Sequence, residues 1–294
     1  MVSYLVDDNS LTNEVVPVPF DSSQATSLVI ARVRQLTNKL IEYRGHDEPP
    51  FLPEDFVPLL GIDRIEKVNL GEASAVLLRL SEGYVIKVNE KHHPLRRNFS
   101  CAHEIGHILL NGLKPLEYYL QNIEYRTFNP KATTKIRERT IERLCNVAAT
   151  ELLMPELVFG KNLSRFGASI HSIEQLANIF RVSIQATAIR IAEVSKEPRI
   201  AILWNLYRKS KSKTLHLAWC LGPGRKPAGK PKYIPTQATV GHSSTIYKAY
   251  QSDSSVKSYK LFKVDNVIKR LPIESKGFGH GETRYVISLA FAEI

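Results

Sequence analysis

The sequence predicts an α+β fold, and three observations carry that prediction. Helix-periodic runs fill much of the stretch from Ser22 to Val194, strand-type runs dominate from Arg199 onward, and the charge balance changes at the same place. From Arg199 to the C-terminus there are 17 Lys and Arg against 5 Asp and Glu, a net +12, whereas the preceding 198 residues hold 23 against 24, a net −1. The expected division is a domain over 1–160, a helical segment over 161–197 and a basic, mostly β or α+β domain over 198–294. A length of 294 residues is long for one hydrophobic core and comfortable for more than one.

Each element follows from local pattern. Residues 1–21 have no sustained period and read as an irregular arm. Ser22–Tyr43 places apolar residues at helical spacing, with Ser22 or Ser23 available as a cap. A Pro-rich stretch and a short helix follow. Ala75–Leu80 and Tyr84–Asn89 flank Ser81-Glu82-Gly83 as a hairpin. Arg97–Leu110 and Ile136–Met154 are helical, the second stopped by Pro155. The pattern between them, Asn111–Lys135, is broken. His171–Phe180 and Ser183–Val194 form a helical pair around a tight turn at Arg181-Val182. Beyond Glu197-Pro198 come the strand runs RIAILWNLY, TLHLAWCL, YKLFKV and RYVISLAFAEI. The segment GPGRKPAGKPKYIP between them is too rich in Gly, Pro and Lys to pack. Trp204 and Trp219 alternate with apolar neighbours and read as strand core.

Composition removes several classes of protein. A hydrophobic fraction of 43% with 23% charged residues is that of a globular chain rather than a disordered one. No run of about 18 apolar residues exists to span a bilayer, and the N-terminus lacks the basic-then-apolar order of a secretory signal. Three widely spaced cysteines, Cys101, Cys145 and Cys220, give no disulfide framework, so a reducing cytoplasm is the expected location. Cys101 and Cys145 read as buried, inert thiols.

The chemistry gathers at His103-Glu104-Ile105-Gly106-His107. Positions i and i+4 of a helix share a face, so both imidazoles reach one metal ion, while the glutamate beside them can accept a proton from a water that the metal acidifies. Gly106 in mid-helix costs about 1 kcal/mol relative to Ala and calls for a packing reason. A catalytic zinc site takes three protein ligands and leaves one position open. On the second helix Glu142 and Asn146 lie at i and i+4, so the first can bind metal while the second orients a ligand histidine through its other ring nitrogen. Glu138, one turn earlier, competes with Glu142 for that role; Glu151, half a turn out of phase, faces away.

Two segments resemble the ImmA/IrrE metallopeptidase family. Asn98-Phe99-Ser100-Cys101-Ala102-His103-Glu104-Ile105-Gly106-His107-Ile108-Leu109-Leu110 is similar to its active-site helix. Glu142-Arg143-Leu144-Cys145-Asn146-Val147-Ala148-Ala149-Thr150-Glu151-Leu152-Leu153-Met154-Pro155 resembles its Glu-x-x-x-Asn-x-x-Ala-Ala-x-Leu-Leu-Met-Pro segment. The resemblance covers roughly Pro53–Val194. It implies a zincin-like core with His103, His107 and Glu142 as ligands to zinc (Mn2+ or another divalent ion being the alternative), Glu104 as general base and Asn146 in support. It also implies a protein substrate, a transcriptional repressor with its own helix-turn-helix, cut under stress or on induction of a mobile element.

Ser172–Ser183 has the look of a helix-turn-helix entry. Only Gln185, Thr187 and Arg190 are candidates for an outward polar face, however, so a helical pair packed on the peptidase is the better reading. Arg225, Lys226, Lys230 and Lys232 crowd one loop of the basic last third and point to DNA or another anionic ligand, with the charge as a mere aid to solubility as the alternative. Some members of the family carry a GAF-like sensor fold there. A DNA-binding or anion-sensing regulator with a vestigial metal site is the competing reading of the whole chain.

Overall fold

The structure is a computed structural model and describes residues 22–45, 47–111, 113, 130–207, 214–222, 233–264 and 267–292. The chain forms two compact units. The first comprises residues 1–158 and 180–182, the second 159–179 and 183–294.

In the first unit, helix α1 (Ser22–Tyr43) precedes a 3-10 turn (Pro53–Leu59) and a three-stranded sheet of β1 (Ile62–Val68), β2 (Ala75–Leu80) and β3 (Gly83–Asn89). The order is β1-β3-β2, β1 running parallel and β2 antiparallel to β3. The hairpin is the one that its turn residues predict; β1, whose IDRIEKV is mostly charged, carries no alternation to announce it. Gly83, at φ +150°, sits where an added Cβ would come within 2.7 Å of the Gly61 carbonyl oxygen.

Helix α2 (Pro94–Leu110) starts with Pro94 in its first turn, and the His93 ring accepts the Leu95 N–H. Helix α3 (Pro130–Leu153) crosses it closely. Val29, Val33 and Leu36 of α1 bury themselves with Leu110, Leu144 and Ala148. An ion pair of Arg34 with Glu151 at 3.0 Å fastens α1 to α3. Phe180, counted with this unit, stacks on Phe51 at a centroid distance of 6.3 Å.

The second unit takes in most of α4 (Glu156–Phe166), then α5 (Ile170–Phe180) and α6 (Ile184–Val194). Between α5 and α6, Arg181 adopts φ 51°, and among the described residues it is the one non-glycine at positive φ. A left-handed conformation costs an L-residue roughly 1–2 kcal/mol, which is why Gly is the usual occupant just past a helix C-terminus. Ser183 caps α6 by accepting the Ala186 N–H at 3.1 Å.

A seven-stranded antiparallel sheet follows: β4 (Arg199–Tyr207), β5 (Thr214–Leu221), β6 (Tyr233–Pro235), β7 (Thr239–Val240), β8 (Val256–Val264), β9 (Val267–Phe278) and β10 (Tyr285–Phe291), with helix α7 (Thr245–Gln251) before β8. The order is β6-β8-β9-β10-β4-β5-β7. One face, including Ile200, Ile202, Trp204, Ile273 and Val286, packs with Ile246, Tyr247 and Ala249 of α7. Ala201, Leu203, Ile287 and Leu289, which alternate with them, are buried too. Burial on both sides explains why β4 reads as a continuous apolar run. Trp204 is fully buried, while Trp219 is only half-buried.

Tyr233–Pro235, which the Gly/Pro/Lys-rich composition assigns to a loop, is instead strand β6, with Tyr233 and Pro235 buried and Ile234 exposed. Three residues are too few for alternation to be legible, and Pro235 is tolerated because β6 lies at the sheet edge.

Candidate metal centre

Residues 103–107 lie in the middle of α2, and Glu142 lies in the middle of α3. What allows the two helices to meet so closely is Gly106: a Cβ there would stand 3.0 Å from both the Cα and the carbonyl oxygen of Cys145. That is the packing reason a mid-helix glycine calls for.

Across this contact the side chains converge. His103 Nε2 lies 3.1 Å from Glu142 Oε2, and His107 Nε2 lies 3.5 Å from Glu142 Oε1. The two imidazoles meet edge to face with centroids 5.0 Å apart. His103 Nδ1 donates to Asn146 Oδ1 at 2.9 Å. An amide oxygen only accepts, so Nδ1 carries a proton, and Nε2, on the side of Glu142, is the ring nitrogen placed to bind a metal.

The donor set fits a divalent ion. Ligand atoms of a tetrahedral ion with bonds of about 2.1 Å lie about 3.4 Å from one another, and the two nitrogen-to-oxygen separations bracket that value. Two imidazoles and one carboxylate are a three-ligand set that leaves a position open. Glu142 is more than half exposed, at 57%, so the open side faces solvent.

Glu104 stands beside these groups. Burial raises its pKa, and the negative charge of Glu142 adds to the rise. His103 and a backbone hydrogen bond from Leu77 pull the other way. Leu77 belongs to β2, one of the two edge strands of the sheet. No feature of the sequence announces this backbone partner, because it depends on how α2 lies against the hairpin. Burial lowers the pKa of His107, with His103 contributing, which favours the neutral imidazole that a metal needs.

A second donor group overlaps the first. The ligand atoms of His103, His107 and Cys145 all lie within 4.8 Å of one another. Cys145 is fully buried, and burial pushes its thiol well above the ordinary range, away from the thiolate that binds metal. Cys101 is buried as well.

Of the competing acids, Glu138 is exposed and Glu151 is buried, the latter paired with Arg34 and accepting the Glu156 N–H. Arg225, Lys226, Lys230 and Lys232 lie outside the described residues. In the helical pair, Thr187 and Arg190 are buried rather than outward-facing, Arg190 only 1% exposed. The α6 helix therefore lacks the basic outer face of a recognition helix.

Comparison with known proteins bears on these residues. Residues 63–192 match the family model of the IrrE N-terminal-like domain, Peptidase M78. Among similar proteins, the radiation response metalloprotease IrrE of Deinococcus radiodurans is 36% identical over 119 residues, 40% of this chain and 34% of that protein. Its counterpart in Deinococcus deserti is 35% identical over 128 residues, 44% of this chain and 43% of that protein. The alignments thus span less than half the length of either relative. Among solved structures, a Mycobacterium tuberculosis transcriptional regulator is similar in fold, with a TM-score of 0.60 at 13% identity, over 93% of this chain and 81% of that one.

Proposed function

We propose that this chain is a zinc-dependent endopeptidase of the ImmA/IrrE type, with His103, His107 and Glu142 as metal ligands and Glu104 as general base, a reading supported by the match of residues 63–192 to the IrrE N-terminal-like family model and by the likeness to the two Deinococcus proteins. The observation that carries the reading is the convergence of both imidazole Nε2 atoms on the two carboxylate oxygens of Glu142, with Glu104 alongside.

When bound, the ion supplies Lewis acidity that polarises a peptide carbonyl and makes water more acidic. The remaining work belongs to the chain. Asn146 fixes the His103 tautomer and ring orientation. The raised pKa of Glu104 brings it closer to the operating pH of a general base. Glu104 takes a proton from the attacking water as the new O–C bond forms, then returns it to the amine nitrogen as the C–N bond breaks. The edge strand β2 leaves one side of its backbone for an extended polypeptide to pair with.

The proposed substrate is a helix-turn-helix transcriptional repressor, cleaved in a stress response or in control of a mobile element. The name of the Deinococcus relatives, radiation response metalloproteases, supports the stress response; the repressor and the mobile element are what the resemblance of the segments around His103 and Glu142 implies. The cytoplasm is the proposed location: Cys101, Cys145 and Cys220 are free thiols, and among the described residues no helix is long and apolar enough to cross a membrane.

To test the reading, the metal-loaded protein is incubated with the repressor encoded beside its gene, and new termini are mapped by mass spectrometry. One discrete cut, lost in Glu104→Gln while the metal stays bound, is expected. Continued cutting by that variant would overturn the mechanism. Cleavage of some other polypeptide, dependent on Glu104, would overturn only the substrate.

A second reading rests on a different observation. Lys257, Lys263, Lys269 and Arg270 are all exposed on β8 and β9, within the basic last third that also holds Arg225, Lys226, Lys230 and Lys232. This unit would bind DNA or another anion and serve a regulator whose metal site is vestigial. Binding through such a patch weakens steeply with salt; a flat salt response removes it.

A further inference from the structure

A cavity of about 240 Å³ opens in the first unit beside the N-terminal half of α2, and no role described so far uses it. Arg97, Asn98 and Cys101 of α2 line it. Cys101 and His103 are about 200° apart around the helix, so the cavity and the metal centre occupy opposite faces of α2.

The charges around the cavity are unbalanced. Lys67, Arg97 and Arg181 line it against a single acid, Glu54. Arg97 is held by carbonyls, donating from Nη1 to the backbone oxygens of Glu90 and His92 at 3.1 and 2.8 Å. The side chains of Lys67 and Arg181 make no hydrogen bond or ion pair with any described residue. Arg181 is also the residue that holds the left-handed conformation where a glycine would sit without strain. A cation kept at a strained backbone position beside a cavity is the kind of outlier from which a function is inferred. The rest of the wall is apolar, from Leu52, Ile65, Val88 and Leu95, with the buried Cys101 beside them.

We propose that this cavity binds a small organic carboxylate, its oxyanion held by Lys67 and Arg181 and its short apolar body lying against Leu52, Ile65 and Leu95. A surplus of two positive charges suits an anion, and the apolar wall favours a carboxylate with a hydrocarbon body over inorganic phosphate. The volume lies below the roughly 300–1,000 Å³ of drug-sized pockets, which sets the ligand at metabolite size.

The test is a calorimetric titration of the full chain with octanoate and, separately, with inorganic phosphate. Saturable octanoate binding, at least about ten-fold tighter than phosphate, is expected. Arg181→Gly removes the cation and relieves the backbone strain, so the variant folds; Lys67→Met removes the other cation from an exposed strand position. Each should weaken octanoate about ten-fold, as loss of a charge-assisted contact does, with an unchanged far-UV circular dichroism spectrum. No saturable octanoate binding, equal affinity for phosphate, or wild-type affinity in both variants would each overturn the proposal.

Discussion

His103 Nδ1 donates to Asn146 Oδ1 at 2.9 Å, one residue from the point where Gly106 lets α2 rest on Cys145 of α3. The same crossing that brings the helices together also orients the His103 imidazole. Replacing Asn146 by Ala leaves the three proposed ligands in place and removes only what orients His103. Losses of this kind run to about 10–100-fold in metal affinity. Zinc affinity measured by competition with a chromophoric chelator checks this; a wild-type value would mean that the hydrogen bond does not hold the ring.

The overlap of two donor groups makes the third ligand testable. Glu142 faces both imidazoles with separate oxygens, whereas Cys145 is a buried thiol whose pKa is raised. Cys145→Ser should bind one equivalent of metal as before, and Glu142→Ala should lose most of it. In the cobalt-substituted protein the near-ultraviolet spectrum should lack a thiolate charge-transfer band and should be the same in Cys145→Ser. A band that disappears in the serine variant would reassign the third ligand to sulfur.

Gly106→Ala sets two effects against each other. Alanine is favoured in a helix by about 1 kcal/mol, yet its Cβ would stand 3.0 Å from backbone atoms of Cys145, which cannot swing aside as a side chain can. Overpacking of that kind costs typically 1–3 kcal/mol, so the variant is expected to be less stable and to bind metal more weakly. Both tryptophans, Trp204 and Trp219, lie in the second unit, so urea unfolding of the first unit is followed by far-UV circular dichroism. A raised midpoint with intact metal binding would show that the helices have room to part.

How much of this was legible beforehand depends on how local each feature is. His103, His107 and Glu104 are fixed relative to one another by one helix, and Glu142 and Asn146 by another, so spacing alone groups them into two sets. Bringing the sets together requires a crossing, which Gly106 hints at and only the packing against Cys145 supplies. The proximity of Cys145 sulfur to the imidazoles is a product of that crossing, as is the Leu77 backbone contact to Glu104. In the fold, β4 and β5 announce themselves through apolar runs. Strand β1 and helix α7 do not, because the first is mostly charged and the second has only seven residues, and helix α4 is obscured by Gly160 in its middle. Arg190 shows the same limit in reverse: its type suggests an outward face, and its environment buries it.

Lys260 yields a prediction about pH. It lies on the buried side of β8, 9% exposed, with its ammonium 3.3 Å from Gln237 Oε1 and 5.3 Å from the centroid of the Trp204 ring, and it makes no ion pair with a described residue. Burial lowers its pKa below the ordinary 10.5. Below the folded-state value the fold must keep a desolvated charge. As pH rises through that value toward 10.5, the unfolded chain holds more protons than the folded one, and stability therefore increases. Lys260→Met removes the charge while keeping the hydrocarbon stem. It gives up an indole contact worth about 0.5–1 kcal/mol, less than the penalty of an uncompensated buried ammonium. The variant should melt at a higher temperature near neutral pH, followed by tryptophan fluorescence from the second unit, and the gain should shrink as the buffer becomes alkaline. A variant that melts lower at neutral pH, or a gain that does not change with pH, would mean that Gln237 and the Trp204 ring compensate the charge in full.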